Sequence, residues 1–172
     1  EVFADDFKEM ERQAYEISSW GDNVYVKIPI TNTKQEKSLD LISKLTSNNV
    51  KLNITALMTN KQVQECVDVI YPNISCYISI FAGRIADTGL DPLPIMSEAL
   101  EILSVNTSLE LIWASPRELL NIVQANDIGC HVITVTNDII NKLKLIGYDL
   151  DDYSLDTVKM FYNDAKKVGY TL

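Results

Sequence analysis

At 172 residues the chain is long enough for one domain with a sizeable core, and we read residues 1–172 as a single domain. Hydrophobic residues make up 47% of it, yet no apolar run approaches the ~18 residues needed to span a bilayer, so a membrane-spanning role is not expected. A net charge of -9 and a pI near 4.5 argue against non-specific binding to nucleic acid.

The elements follow from spacing. Glu1 to Ala4 reads as the end of a strand, and Asp5 as the cap of a helix bearing Phe7, Met10, Ala14 and Ile17. Residues 23–31, Asn-Val-Tyr-Val-Lys-Ile-Pro-Ile-Thr, read as a strand buried on both faces. A helix marked by Leu39, Ile42 and Leu45 leads to a strand over Val50 to Leu57. Thr59 to Gln62 has the form of a capping box, with Val63, Cys66, Val67 and Ile70 as the buried face of its helix. Ser75 to Ala82 is predicted as a strand, Gly83 to Gly89 as a loop, and Ile95 to Leu103 as helical. Glu110 to Ala114 is the next strand, and Ser115-Pro-Arg-Glu118 is predicted to start a helix with serine as its cap. His131 to Val135 follows as a strand. Thr136 or Asn137 then caps a helix, Ser154 to Val168 forms the last one, and Tyr170 to Leu172 is a tail.

Strands and helices alternate without a linker or repeat, which is the pattern of a parallel α/β sheet or barrel. About six βα units are visible where a closed (β/α)8 barrel needs eight. The chain opens on Glu1 rather than methionine, without a signal-peptide pattern, so an N-terminal portion of two βα units is expected to be missing.

Three scattered cysteines (Cys66, Cys76, Cys130) without a CxxC pair make a reduced, cytoplasmic setting the default. The lone histidine, His131, adjoins Cys130, but two further metal ligands are not visible nearby, so it reads as a packed strand-start residue.

Lys27 is the residue around which the rest is organised. Alternation puts Tyr25 and Lys27 on one strand face and Val24, Val26 and Ile28 on the other. Taken alone it is an edge-strand lysine reaching solvent. Polar residues recur in phase on the following strands, however: Asn53 and Thr55 share a face, as do Tyr77, Ser79 and Phe81. If these faces point inward, Glu1, Lys27, Asn53, Thr55 and Ser79 meet near the C-terminal strand ends, where barrel active sites lie. A lysine desolvated by apolar neighbours keeps a neutral fraction near pH 7 and can attack a carbonyl. The imine formed is an electron sink for breaking a neighbouring C–C bond. Glu1 and Thr55 are placed to hold a proton-shuttling water. Further round, Arg84, Ser115 and Arg117 form a second polar group, which serves equally as a phosphate site at a helix start or as a capped helix with solvated arginines.

Together these residues resemble the transaldolase and fructose-6-phosphate aldolase family over nearly the whole chain. V-Y-V-K-I-P (24–29) is similar to the family's Schiff-base strand, N-I-T-A-L-M-T-N-K-Q (53–62) to its Asn-x-Thr strand, S-I-F-A-G-R-I-A-D-T-G (79–89) to its Ser-Pro-Phe-x-Gly-Arg-Ile segment, and W-A-S-P-R (113–117) to its Ala-Ser-Phe-Arg segment. The resemblance implies a TIM (β/α)8 barrel of the transaldolase type, present here as about six βα units and a C-terminal helix. It implies an enzyme of pentose-phosphate carbohydrate metabolism in the cytoplasm that needs no metal or other cofactor and takes sugar-phosphate substrates. Two missing strands would expose sheet edges and apolar helix faces, so a homo-oligomer is expected. By resemblance Lys27 forms the Schiff base, and Glu1 and Thr55 hold the catalytic water. Asn53 and Ser79 contact substrate hydroxyls, and Phe81 lines the site. Arg84, Ser115 and Arg117 bind the phosphate.

The related fructose-6-phosphate aldolases carry glutamine and tyrosine where Glu1 and Phe81 stand, which favours a transaldolase. Ile80 departs from the family's proline, and the loop after the Lys27 strand is longer than in many members. The family's first two strands supply an aspartate and an asparagine to the site, and neither strand is in this sequence. An aldolase that releases the three-carbon unit free, and a truncated non-catalytic barrel fragment, are the alternative readings.

Overall fold

The computed structural model describes residues 1–169, so the Tyr170–Leu172 tail lies outside the described residues. The chain forms two compact units, Glu1–Val135 and Thr136–Leu172.

In the first unit helices and strands alternate as α1 (Phe7–Ser18), β1 (Val26–Pro29), α2 (Leu39–Ser47), β2 (Leu52–Leu57), α3 (Asn60–Val69), β3 (Cys76–Ile80), α4 (Ala82–Ala86), α5 (Leu93–Leu103), β4 (Leu109–Trp113), α6 (Leu120–Asp127) and β5 (Val132–Ile133). The strands form one parallel sheet in the order β1-β2-β3-β4-β5. Val26, Ile28, Leu52, Ile54, Ile78, Ile80, Leu111 and Trp113 pack into one core with Met10, Ala14, Ile42, Leu45, Val63, Cys66, Met96 and Ala99 of the helices. Sequential strand order with the helices packed on one face is the winding of a barrel arc. A doubly wound sheet would reverse its order and carry helices on both faces.

Five of the expected strands are present. Glu1–Ala4 is not a strand; one ladder-like bond, from Val2 N–H to the Lys27 carbonyl at 3.1 Å, joins it to β1. The cap of α1 is Asp6, whose carboxylate accepts from Lys8 and Glu9, while Asp5 turns to Thr33. The Thr59–Gln62 capping box forms with both reciprocal bonds and starts α3. The expected loop at Gly83 begins instead with the short helix α4. The longer loop after β1 folds on itself, with Asn32 Oδ1 accepting from Lys34 N–H and Glu36 N–H at 3.0 Å each.

In the second unit, α7 (Asn137–Ile140) follows Thr136, which makes no side-chain cap bond. The last helix, α8, runs Leu150–Val168, starting earlier than expected because Asp149 caps it by accepting from Asp151 and Asp152. Among the described residues no helix is long and apolar enough to cross a membrane.

Candidate active site

The register places Lys27 beside Asn53, Asn53 beside Tyr77, and Tyr77 beside Glu110, so four strands present polar side chains at one level. Lys27 Nζ stands 3.5 Å from Glu1 Oε2. The Lys27 and Glu1 side chains are 38% and 55% exposed, so β1 is not buried on both faces as expected. Val26 and Ile28 are buried against the helices, while Lys27 and Pro29 on the other face are half-buried. At this exposure the pair is worth at most about 1 kcal/mol to stability.

One step further along the strands, Ser79 Oγ donates to Asn53 Oδ1 at 2.8 Å. Thr55 pairs with Pro29 in register and is 3% exposed, and its hydroxyl has no hydrogen-bond partner. The β2–β3 register slips between Ile54 and Leu57, and Ala56 takes φ +64° there. This bulge sets two residues of β2 against one of β3 and re-aims the strand end, a device common beside active sites.

Toward the strand starts, the Tyr25 and Tyr77 rings lie 4.7 Å apart and Tyr25 Oη meets Ser75 Oγ at 2.7 Å. The hydrogen bond to the Glu110 carboxylate holds the Tyr77 phenol above the ordinary tyrosine range.

The second group assembles at the ends of β3 and β4. The Arg84 guanidinium lies 5.8 Å from the centre of the Phe81 ring and makes no ion pair among the described residues. Arg117 grips Asp87 with two bonds, one from Nε at 3.1 Å. Ser115 is not a helix cap. It sits at φ +60° with its N–H directed at Thr134 Oγ1, 3.4 Å away, and α6 begins only at Leu120. An N-cap serine needs an extended backbone, which this φ excludes. α6 has no side-chain cap; Asn121, in its first turn, bonds back into the preceding turn, its Oδ1 accepting from Arg117 N–H at 2.8 Å and Glu118 N–H at 3.2 Å.

The expected residues thus gather as Lys27 with Glu1, Asn53 with Ser79, and Phe81 with Arg84. Sequence reading missed Asp87, Gly83, Asn121 and Thr134. Asp87 and Gly83 lie inside the S-I-F-A-G-R-I-A-D-T-G segment, so the signal for them was present. Thr134 acts across 19 residues, which no local pattern carries, whereas the Asn121 bonds reach only three and four residues back. His131 Nδ1 accepts from Leu111 N–H at 3.0 Å, and Cys130 Sγ points at the Leu111 and Val132 carbonyls, so this pair ties β5 to β4.

A family model described as transaldolase/fructose-6-phosphate aldolase matches residues 1–172. The chain belongs to this family. Among relatives named "probable transaldolase", that of Thermoanaerobacter sp. (strain X514) is 28% identical over 98% of this chain and 73% of its own length. That of Methanococcus vannielii is 29% identical over 91% and 68%, and that of Streptococcus pyogenes serotype M5 is 31% identical over 78% and 59%. The chain therefore spans between 59% and 73% of the length of these family members.

Proposed function

We propose that this family member acts as a transaldolase, moving a dihydroxyacetone unit between sugar phosphates through a Schiff base on Lys27. The observation that carries the reading is the amine of Lys27 held 3.5 Å from the Glu1 carboxylate, on the face that also presents Asn53, Ser79 and Thr55. In the unprotonated form Lys27 Nζ attacks the ketose C2 carbonyl carbon, and loss of water leaves an imine. The C3–C4 bond then breaks, its electron pair moving toward the imine nitrogen while the C4 hydroxyl loses its proton. The enamine adds to an incoming aldehyde, and water releases the product and the lysine. Glu1 is the carboxylate in reach to exchange protons with a water, and the unpartnered Thr55 hydroxyl is the group in need of one. Asn53 and Ser79 suit sugar hydroxyls. Phe81 forms a wall, and Arg84, Ser115 and Arg117 would meet the phosphate, with Arg84 the guanidinium not already paired.

Two features extend the reading. Glutamate at position 1 and phenylalanine at position 81 favour transfer over the aldolase reaction that frees the three-carbon unit. The exposed apolar side chains of α8, Val158, Phe161 and Tyr162 among them, favour self-association. Sedimentation tests that part: a monomer at micromolar concentration contradicts it.

Borohydride reduction in the presence of fructose 6-phosphate, followed by peptide mass spectrometry, tests the chemistry. The expected result is a substrate-derived adduct on Lys27 that is absent from Lys27→Met. Labelling elsewhere, or none in the protein that carries this chain, overturns the reading.

A further inference from the structure

Glu1 faces Lys27 from the segment Glu1–Ala4, which is attached both to β1 and to α1. Among the described residues one backbone bond, from Val2 N–H to the Lys27 carbonyl, joins the segment to β1, and the Val2 side chain is buried in the core; Phe3 is 89% exposed, so side-chain packing at Phe3 does not fix the backbone there. A second anchor, at Phe3 and Ala4, is on α1. Gln13 is 4% exposed, beside the buried Met10 and Ala14, at a position where helical spacing would admit an apolar residue. Its Oε1 accepts from Phe3 N–H at 2.9 Å and from Ala4 N–H at 3.2 Å. Its Nε2 lies 3.4 Å from Glu9 Oε1, which sets the amide's orientation. Beyond Ala4 the Asp5 carboxylate accepts from Thr33 N–H at 2.8 Å and Thr33 Oγ1 at 2.7 Å, tying the segment to the loop after β1.

We propose that Gln13 is a positioning residue: through the peptide groups of Phe3 and Ala4 it sets the place of the Glu1 carboxylate beside Lys27. This rests on the reading of Lys27 as nucleophile and Glu1 as its proton-exchanging partner. A neutral acceptor suits the site because a second carboxylate would face Glu9.

The test is borohydride trapping with fructose 6-phosphate across pH, in the protein that carries this chain. Wild type is compared with Glu1→Gln, Gln13→Met, Gln13→Glu and the double variant Glu1→Gln/Gln13→Met. Gln13→Met is expected to slow trapping by about ten- to a hundredfold, the penalty for displacing a reacting group by about 1 Å. It should change the pH dependence in the same sense as Glu1→Gln, and add little to it in the double variant. Gln13→Glu, which keeps the acceptor, should recover part of the rate. If Gln13→Met does not fold, Gln13→Asn withdraws the acceptor by about one C–C bond, ~1.5 Å, and replaces it in the comparison.

A slowed rate with the wild-type pH dependence, or full additivity with Glu1→Gln, overturns the positioning role and leaves the Lys27 chemistry standing. No Lys27 adduct in wild type overturns both.

Discussion

Gly83 and Ser115 meet backbone to backbone. A Cβ on Gly83 would stand 1.5 Å from the Ser115 carbonyl oxygen and 3.2 Å from Arg117 Nε. The start of α4 and the turn after β4 are therefore locked at a spacing only glycine allows, and that lock brings Arg84 and Arg117 to the same end of the sheet.

Gly83→Ala is the direct consequence. The backbone must move, since the atom it meets is a carbonyl rather than a flexible side chain. Overpacking of this kind costs about 1–3 kcal/mol. Urea unfolding should show the loss, and KM for a phosphorylated substrate should rise more than kcat falls.

Ala56 holds φ +64° inside the β2 bulge, where an L-residue other than glycine is strained. Ala56→Gly removes that strain at the cost of a more flexible unfolded chain. The expected balance is a gain of roughly 0.5–1 kcal/mol in urea unfolding. A loss of stability would show that the methyl group is held by packing that outweighs the strain.

Thr55→Val separates fold from chemistry. The Thr55 hydroxyl is buried and unpartnered, so its removal gives up no protein hydrogen bond and should leave stability within about 1 kcal/mol or raise it. If the hydroxyl holds the water used by Glu1, Lys27 trapping should slow about 10²-fold, the scale of one acid–base contribution. An unchanged rate removes Thr55 from the mechanism.

Burial pushes the Cys66 thiol up to about 12 and the Cys76 thiol to about 11, from an ordinary 9.0. Between pH 9 and 11 the unfolded chain loses these protons while the folded chain keeps them, so stability falls as pH rises. The slope approaches about 1.4 kcal/mol per pH unit for each thiol. Unfolding measured at pH 8, 9 and 10 should show the decline, and Cys66→Ala should flatten it. Native-state alkylation should reach the half-buried Cys130 before the other two.

Two stretches with the same local form had opposite outcomes. Thr59-Asn-Lys-Gln62 looks like a capping box and is one, because its partners lie within a single turn of helix. Ser115-Pro-Arg-Glu118 has the same look, yet Ser115 lies at φ +60°, its N–H directed at Thr134 just past β5 and its carbonyl against the backbone of Gly83. Asp6 replaced Asp5 as the α1 cap for a related reason, since Asp5 is engaged with Thr33, 28 residues away.

The sequence by itself determined the alternation of strands and helices, which faces of β1, β2 and β3 are polar, and that Lys27, Asn53 and Ser79 share a side. Side-chain direction along a strand and apolar spacing along a helix belong to the chain's own geometry. Only the tertiary structure decided how exposed Lys27 is, that the Glu1 carboxylate stands 3.5 Å from it, and that Thr55 lies beside a bulge. It also paired Arg117 with Asp87 and set Gly83 against Ser115. Those outcomes depend on register between strands and on bonds spanning 10 to 30 residues, which no local pattern encodes.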